Sequence, residues 1–317
     1  MEPVRRNTQQ VQIVSRQEVA DGVCYLAMKS PSGNGLHAWK PGAHVDLYLP
    51  GMTRQYSLCG DPAEGDTYRI AVLRQAAGRG GSNYVHDSLG VGSSAVVSRP
   101  KNHFKFVEAP GYCFIAGGIG ITPIRTMIRA AELADADWSL AYGGRTRRSM
   151  AFADELAGLG GRVRVLPEEE VGLLPLAEIL SNVPSGHAIY CCGPEPLLAA
   201  TERAVGVEGR HQLHVERFAA AVPKHLPDDR AITVECRESD REVQVGAQET
   251  VLEALIAAGL DVNYDCREGT CGTCELEILE GVADHRDAIL SPLDRAGSPI
   301  MYPCVSRSLT PTIALEV

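Results

Sequence analysis

The opening stretch MEPVRRNTQQVQIVSRQEV has no apolar run of signal-peptide length, and no later segment approaches the roughly 18 apolar residues of a membrane span. The expectation is a cytoplasmic protein without a membrane partner. Disulfides rarely persist there, so the ten cysteines need another explanation. Internal repeats and low-complexity tracts are also missing. No Ser-His-Asp or metalloprotease motif occurs, and the nine histidines show no ligand spacing, so they are read as surface or core residues. Lysine is absent from Asp228 to the end. That segment holds 18 acidic residues against 7 arginines, a charge of −11, while the rest carries 22 acidic and 23 basic groups, or +1. The whole formal −10 therefore sits in the C-terminal segment. This argues against a nucleic-acid partner there. It leaves an acidic surface that either keeps the chain in solution or steers a basic protein partner.

What is present points to several folded domains. At 317 residues the chain is too long for one ordinary core, and 44% apolar with 22% charged residues is a globular composition. Residues 1–105 read as short strands (HVDLYLP, TYRIAVLR, SAVVSRP) between Gly- and Pro-containing turns, the pattern of an antiparallel Greek-key β-barrel. From 106 to 222 apolar strands (YCFIAG, WSLAYGG, HAIYCCG) alternate with helical stretches (IRTMIRAAELA, PEPLLAATERAV), which argues for an α/β domain with an open parallel sheet. The run 219–231, AAAVPKHLPDDRA, reads as a linker. Residues 223–317 then offer a hairpin (ITVECRES, REVQVGA), the helix TVLEALIAAGL and a cysteine-rich loop.

That loop, YDCREGTCGTCELEILEG, spaces its cysteines as Cys266-x4-Cys271-x2-Cys274, with Cys304 in MYPCVSR as a distant fourth. This is the plant-type ferredoxin arrangement for a 2Fe–2S cluster. Gly269 and Gly272 let the backbone curl and aim its N–H groups at sulfur. A structural zinc site is the rival, but it usually brings paired C-x-x-C units or spaced histidines. Only one C-x-x-C occurs, and His285 lies in no matching motif. An α+β plant-type ferredoxin (β-grasp) domain is therefore expected over 223–317. Cys24, Cys59, Cys113, Cys191 and Cys236 are read as small buried hydrophobes.

A one-electron carrier fused to an α/β domain suggests an internal reductant. In CFIAGGIGITPIRTMIRAAEL, Gly117, Gly118 and Gly120 follow a strand, with Thr122 as expected helix cap and Pro123 at the first helical position. The third glycine of the dinucleotide fingerprint is missing. A second turn, Cys192-Gly193-Pro194, ends another apolar strand, and both turns belong at the carboxyl edge of the sheet. Cys192 by itself is equally compatible with a buried hydrophobe. In the barrel, TRQYSLCG joins the cation Arg54, the aromatic Tyr56 and the hydroxyl of Ser57. On a regular strand Arg54 and Tyr56 share a face and Ser57 points to the other. AAGRGGSNYVHDSLG gives a glycine loop entering a helix with Ser82 as expected cap, an anion site.

Together RQYS, GRGGS, GGIGITP, CGPEP and the cysteine loop occur in the order found in the phthalate dioxygenase reductase family, which includes the vanillate demethylase reductases. The chain resembles that family over essentially its full length. The resemblance implies FMN on the barrel, NADH on the middle domain, and a ferredoxin domain passing electrons to a separate oxygenase. It assigns Arg54 and Ser82 to the flavin phosphate, counts Gln55 with them as a cofactor-binding residue, and has Gly80 and Gly81 offer N–H groups. Tyr56 would pack on the isoalloxazine and Ser57 hydrogen-bond near its reactive nitrogen. Gly117, Gly118, Gly120, Thr122 and Pro123 would face pyrophosphate, and Cys192, Gly193 and Pro194 would border the nicotinamide. In HVERF, Phe218 would lie close to the flavin, and Glu216 is left without a settled role. Ser57, Cys192 and Phe218 are thus the residues placed at hydride transfer, and Cys266, Cys271, Cys274 and Cys304 the metal ligands. The chain departs from many relatives at Leu197, a packing difference.

The inferred reaction runs from NADH to FMN to the 2Fe–2S cluster to a Rieske-type oxygenase acting on an aromatic acid, docked on the acidic ferredoxin surface; a monomer is expected. FAD, as in phenylacetyl-CoA oxygenase reductases, would need stacking partners for adenine beyond Arg54, where no clear aromatic occurs. A haem monooxygenase, a di-iron hydroxylase or a carnitine-type oxygenase fits the same domain order as partner. A redox sensor without steady turnover is the reading from another class. Arg145, Arg147 and Arg148 lie where an adenosine ribose would, so NADPH stays open on the residues alone; the resemblance implies NADH.

Overall fold

The structure, a computed structural model, describes residues 8–76, 78, 80–208, 211–218, 225–290 and 292–317. The chain divides into two compact units, one ending at Glu216 and one starting at Arg217.

The first unit opens with β1 (Thr8–Ala20), β2 (Val23–Lys29), β3 (His44–Leu49), β4 (Met52–Ser57), β5 (Thr67–Leu73), helix α1 (Gly81–Ser88) and β6 (Ser94–Ser98). The strands form one antiparallel sheet in the order β4-β3-β6-β1-β2-β5. Its two edges meet where Leu58, just past β4, bridges Ile70 of β5. The sheet thus curls round a core of Val11, Ile13, Leu26, Met28, Val45, Leu47, Tyr68 and Ile70, as the short β-rich segments implied. Closure leaves no edge for stray pairing. The 13-residue β1 was not evident in the sequence. It follows the curvature through irregularities between Ile13 and Ser15 and between Glu18 and Ala20, which break its alternation.

The same unit continues with β7 (Gly111–Gly117), α2 (Ile121–Leu133), β8 (Asp137–Gly144), α3 (Ala153–Ala157), β9 (Val163–Pro167), α4 (Glu168–Val171), α5 (Leu176–Ser181), β10 (Ala188–Cys192), α6 (Glu195–Glu208) and β11 (Gln212–Glu216). All five strands are parallel, in the order β11-β10-β7-β8-β9. β7 and β10 are buried along their whole length, which is why they read as unbroken apolar runs. The chain steps outward from β7 to β9 and then returns to lay β10 on the other side of β7. The carboxyl ends of β7 and β10 therefore flank a topological switch point. Barrel and parallel sheet share a core: Val23, Cys59 and Ala71 pack with Phe114, Ile124, Met127 and Tyr190.

Both predicted helix caps shift. α1 starts at Gly81 with Gly80 as its cap, and Ser82 lies inside the first turn, its hydroxyl accepting from the Gln75 N–H at 3.0 Å. Likewise a 3-10 turn, Gly118–Gly120, runs directly into α2. Thr122 and Pro123 are thus second and third in the helix, and the Thr122 hydroxyl donates back to the Ile119 carbonyl at 2.9 Å. The helical backbone at Gly120 (φ −62°) leaves no extended residue for Thr122 to follow as a cap.

The second unit contains β12 (Ile232–Cys236), β13 (Arg241–Val245), α7 (Val251–Ala257), β14 (Leu276–Glu280), β15 (Ala283–Asp284), α8 (Pro292–Arg295), β16 (Ile300–Met301), β17 (Arg307–Ser308) and β18 (Thr312–Leu315). The main sheet runs β13-β12-β18-β14-β16, with β12 and β18 parallel, and β15 pairs with β17. Thr250 and Glu253 form a reciprocal capping box at the start of α7, whose Val251, Leu252 and Leu255 are buried in the sheet's core. The linker expected over 219–231 lies partly outside the described residues, at 219–224. Its later part is no free linker. The Asp229 side chain is buried and accepts from Arg286 at 2.9 and 2.5 Å, and Arg307 donates to the Arg230 carbonyl at 2.8 Å. Charge in DDR reads as solvated in sequence, but here two arginines from β15–β17 draw it inside.

Candidate active site and cluster loop

At the barrel end, β4 presents Arg54, Gln55, Tyr56 and Ser57. A regular strand puts Arg54 and Tyr56 on one face, and the register with β3 puts Gln55 opposite Asp46 and Ser57 opposite His44 on the other. Arg54 lies against the start of α1: a Cβ on Gly81 would come within 2.6 Å of its Cγ and 2.7 Å of its Nε. Gly80 has φ +86°, which only glycine adopts without strain. A helix leaves its first N–H groups to outside acceptors. Here they join a guanidinium, and Asn83 Oδ1 is buried in the same turn with no hydrogen-bond partner. These donors fit a phosphate, and the orphaned amide fits a polar ligand. Tyr56 is half-buried against the barrel core, and burial pushes its phenol well above the usual value.

At the switch point the two glycine turns close on each other. A Cβ on Gly120 would lie 2.2 Å from the Cys192 carbonyl oxygen. One on Gly193 would lie 3.0 Å from Gly117 Cα, and one on Gly117 2.8 Å from Pro194 Cδ. Three of these glycines thus permit turn-to-turn contact. Gly118 differs: its φ is +54° and nothing lies within 4 Å of the Cβ position, so its backbone faces open space. Arg147 pairs with Asp154 at 2.7 Å and Arg148 with Asp21 at 3.3 Å.

The unit brings Ser57, Cys192 and Glu216 together from β4, β10 and β11. Cys192 Sγ lies 3.9 Å from Glu216 Oε2, and Ser57 hydrogen-bonds the same carboxyl. Ser57 and Cys192 are buried, and Glu216 is half-buried. Burial raises the Glu216 carboxyl to about 8, partly offset by its bonds to Cys192 and Ser57. Burial, and then the Glu216 charge, raises the Cys192 thiol well above its ordinary value. Both shifts favour the uncharged forms of Glu216 and Cys192 in this hydrogen-bonded Ser–Glu–Cys set. In sequence Glu216 is a lone acid in an otherwise ordinary strand, and only the parallel pairing of Cys192 with Glu216 reveals its neighbour. Phe218 is 45% exposed and belongs to the second unit.

In that second unit the four cysteines sort into two pairs. Cys266 accepts a hydrogen bond from Cys271, which with bonds from Thr270 and Glu268 draws its thiol down to about 6 against the effect of burial. Cys271 is raised by Cys266 and by burial, and Cys274 by Cys304 and by burial. Among the described residues no three His, Cys, Asp or Glu side chains converge on a single ion. Two thiol pairs suit two metal centres with two protein ligands each, and fit a 2Fe–2S cluster better than a lone zinc. Gly269 curls the loop at φ +69°, where a Cβ would meet Val305 at 2.5 Å.

Residues 114–167 match the oxidoreductase NAD-binding domain and 234–308 the 2Fe-2S iron-sulfur cluster binding domain. The chain is 43% identical over 303 residues to the phenoxybenzoate dioxygenase subunit beta of Ectopseudomonas oleovorans, covering 94% of both chains. Among solved structures, phthalate dioxygenase reductase superposes with a TM-score of 0.71 at 29% identity, over 98% of each chain. The chain belongs to the phthalate dioxygenase reductase family. As such a reductase it is an oxidoreductase component of an oxygenase system, with NAD, FMN and a 2Fe–2S cluster as its cofactors, and its fold is the barrel, parallel sheet and ferredoxin order expected. An intact type IV self-sufficient cytochrome P450 monooxygenase also superposes, with a TM-score of 0.91 at 37% identity. It covers all of this reductase, which matches 43% of that longer chain. No helix among the described residues is long and apolar enough to cross a membrane.

Proposed function

We propose that this reductase takes hydride from NADH beside the Ser57–Glu216–Cys192 set, which would border the flavin that accepts it, and delivers single electrons to a Rieske-type oxygenase acting on an aromatic acid through the cluster that Cys266, Cys271, Cys274 and Cys304 would hold. The observation that carries the first half is the meeting of those three side chains where the barrel strand β4 and the ends of β10 and β11 come together. Flavin supplies the conversion from a two-electron donor to a one-electron acceptor. Arg54 and the first turn of α1, with Gly80, Gly81 and Ser82, bind its phosphate, and Tyr56 borders its ring. Ser57 donates to the ring edge while Glu216 orients Ser57 and keeps the pocket uncharged. Cys192, kept as a neutral thiol, fills the nicotinamide side and excludes water. Gly118 lines the pyrophosphate, with Gly117, Gly120, Thr122, Pro123, Gly193 and Pro194 shaping the turns. NADH is favoured over NADPH because Arg147 and Arg148 are already paired with carboxylates. The domains run 1–105, 106–222 and 223–317, and the reductase acts as a monomer docking its acidic ferredoxin surface on the oxygenase.

The similarity to a self-sufficient P450 supports a second reading, in which the acceptor is a haem monooxygenase. Release and quantification of flavin, iron and sulfide test the cofactor part, and reduction rates with a Rieske oxygenase against a P450 haem domain separate the acceptors. FAD in place of FMN would overturn the phosphate assignment. Faster reduction of the haem domain would favour the second reading.

A further inference from the structure

Gln55 sits between Arg54 and Tyr56, and its position invites a role at the flavin. Its side chain is otherwise engaged. The amide nitrogen donates to Asp46 Oδ1 at 3.0 Å and to His44 Nε2 at 2.9 Å. Asp46 is fully buried, and its other oxygen accepts from Lys101 Nζ at 2.7 Å. His44 is also buried and neutral, and in its Nδ1–H tautomer Nε2 offers a lone pair to the second amide hydrogen. One carboxamide thus satisfies a buried carboxylate and a buried imidazole together. Each would otherwise be left short of a partner, and unmade bonds in the interior are what make such groups demanding.

The far side of this network reaches the nucleotide domain. His44 and Lys101 exchange both backbone hydrogen bonds at 2.9 Å. Asn102 then ties the same segment to the Pro41 carbonyl at 2.9 Å, and Phe104 packs with Tyr190. The Tyr190 hydroxyl donates to the Lys105 carbonyl at 3.0 Å and accepts from the Val107 N–H at 2.8 Å. Tyr190 lies on β10, two residues before Cys192. A continuous path of hydrogen bonds and packed rings therefore runs from the strand carrying Ser57 to the strand carrying Cys192, behind the direct contact through Glu216.

We propose that Gln55 is a positioning residue for hydride transfer and no flavin ligand: it latches β4 to the buried Asp46–Lys101 pair and so sets Ser57 against Cys192. This rests on the reading that β4 carries the flavin-facing residues. Small errors in such placement weigh heavily on rate and lightly on affinity.

The test compares Gln55→Leu and Gln55→Glu with wild type as holoproteins, reading flavin release on dilution by recovered fluorescence and bleaching of bound flavin by NADH in stopped flow. Gln55→Leu should release FMN within about threefold of wild type yet bleach about tenfold more slowly. Gln55→Glu sets a second carboxyl against Asp46, with His44, His103 and Lys101 the other titratable groups around it. When protonated it donates to Asp46 as the amide does; ionised, it repels it. Its bleaching rate should approach that of wild type near pH 5 and fall relative to wild type by pH 7, below the range in which Glu216 ionises. If Gln55→Leu sheds flavin but bleaches normally once saturated, Gln55 is a ligand and the inference is wrong. It is equally wrong if neither property changes, or if Gln55→Glu shows no acid rescue, including a failure to fold there. Wild-type protein that holds no flavin would overturn the functional reading as well.

Discussion

The Glu216 carboxyl is the residue whose environment departs furthest from its sequence context. Its value near 8 in the folded chain exceeds the unfolded carboxyl value of 4.5. Between those values the folded state holds more protons, so the associated stability is fully present below about pH 4.5 and is lost as pH rises through about 8. Glu216→Gln should remove this slope: its melting temperature should equal or exceed that of wild type at pH 8.5, while NADH-driven flavin bleaching slows. Melting curves at pH 5.5 and 8.5 check the first part, and equal slopes for the two proteins would contradict it. Cys304→Ser should abolish bound sulfide and the cluster's visible absorption while leaving NADH reduction of the flavin intact. The four-cysteine pattern stands out in sequence because three of its members lie within one loop and one is a distant partner. Glu216 and Gln55 do not, since their partners are 24 residues and 9 residues away across strand pairings that no local pattern encodes.

At the scale of elements, the two glycine turns separate a packing role from a ligand-facing one. Gly120→Ala drives a Cβ into the Cys192 carbonyl at 2.2 Å and should destabilise the unit by about 3 kcal/mol, distorting the nucleotide site with it. Gly118→Ala meets open space and should cost about 1 kcal/mol from its positive φ alone. Denaturant midpoints of the two variants check the contrast, which reverses if pyrophosphate binding were the only reason for Gly120. Strand and helix identities in the parallel sheet were readable from apolar runs and their alternation with helices. The starts of α1 and α2 were not, because glycine loops run straight into both helices and push the polar residues inside. The segment before β12 departs from the linker expectation for a similar reason. Its two aspartates look solvated, yet Asp229 is held by Arg286, whose hydrogen bonds bring the carboxyl down to about 2. The stability this pair contributes is present above pH 3.8 and is lost as pH falls through about 2. Asp229→Asn should therefore destabilise the second unit at pH 7 by about 3 kcal/mol and flatten its loss below pH 4, as chemical denaturation followed through the cluster's absorption would show.

For the whole molecule, the order of the domains carries the function. A nucleotide site, a flavin strand and a cluster loop on one chain pass electrons without a diffusing intermediary, and composition adds a direction: the excess of negative charge lies in the ferredoxin segment alone. Electron transfer to a basic protein acceptor should slow as ionic strength rises through the range where the Debye length falls below about 10 Å. A flat rate would remove the steering role of that surface. If one chain moves electrons from NADH through flavin to the cluster, an anaerobic NADH titration followed by visible absorption will report both steps. Bleaching of the flavin band together with the cluster band is the predicted result. A flavin band that bleaches while the cluster band stays oxidised, or protein that yields zinc and no sulfide, would contradict it.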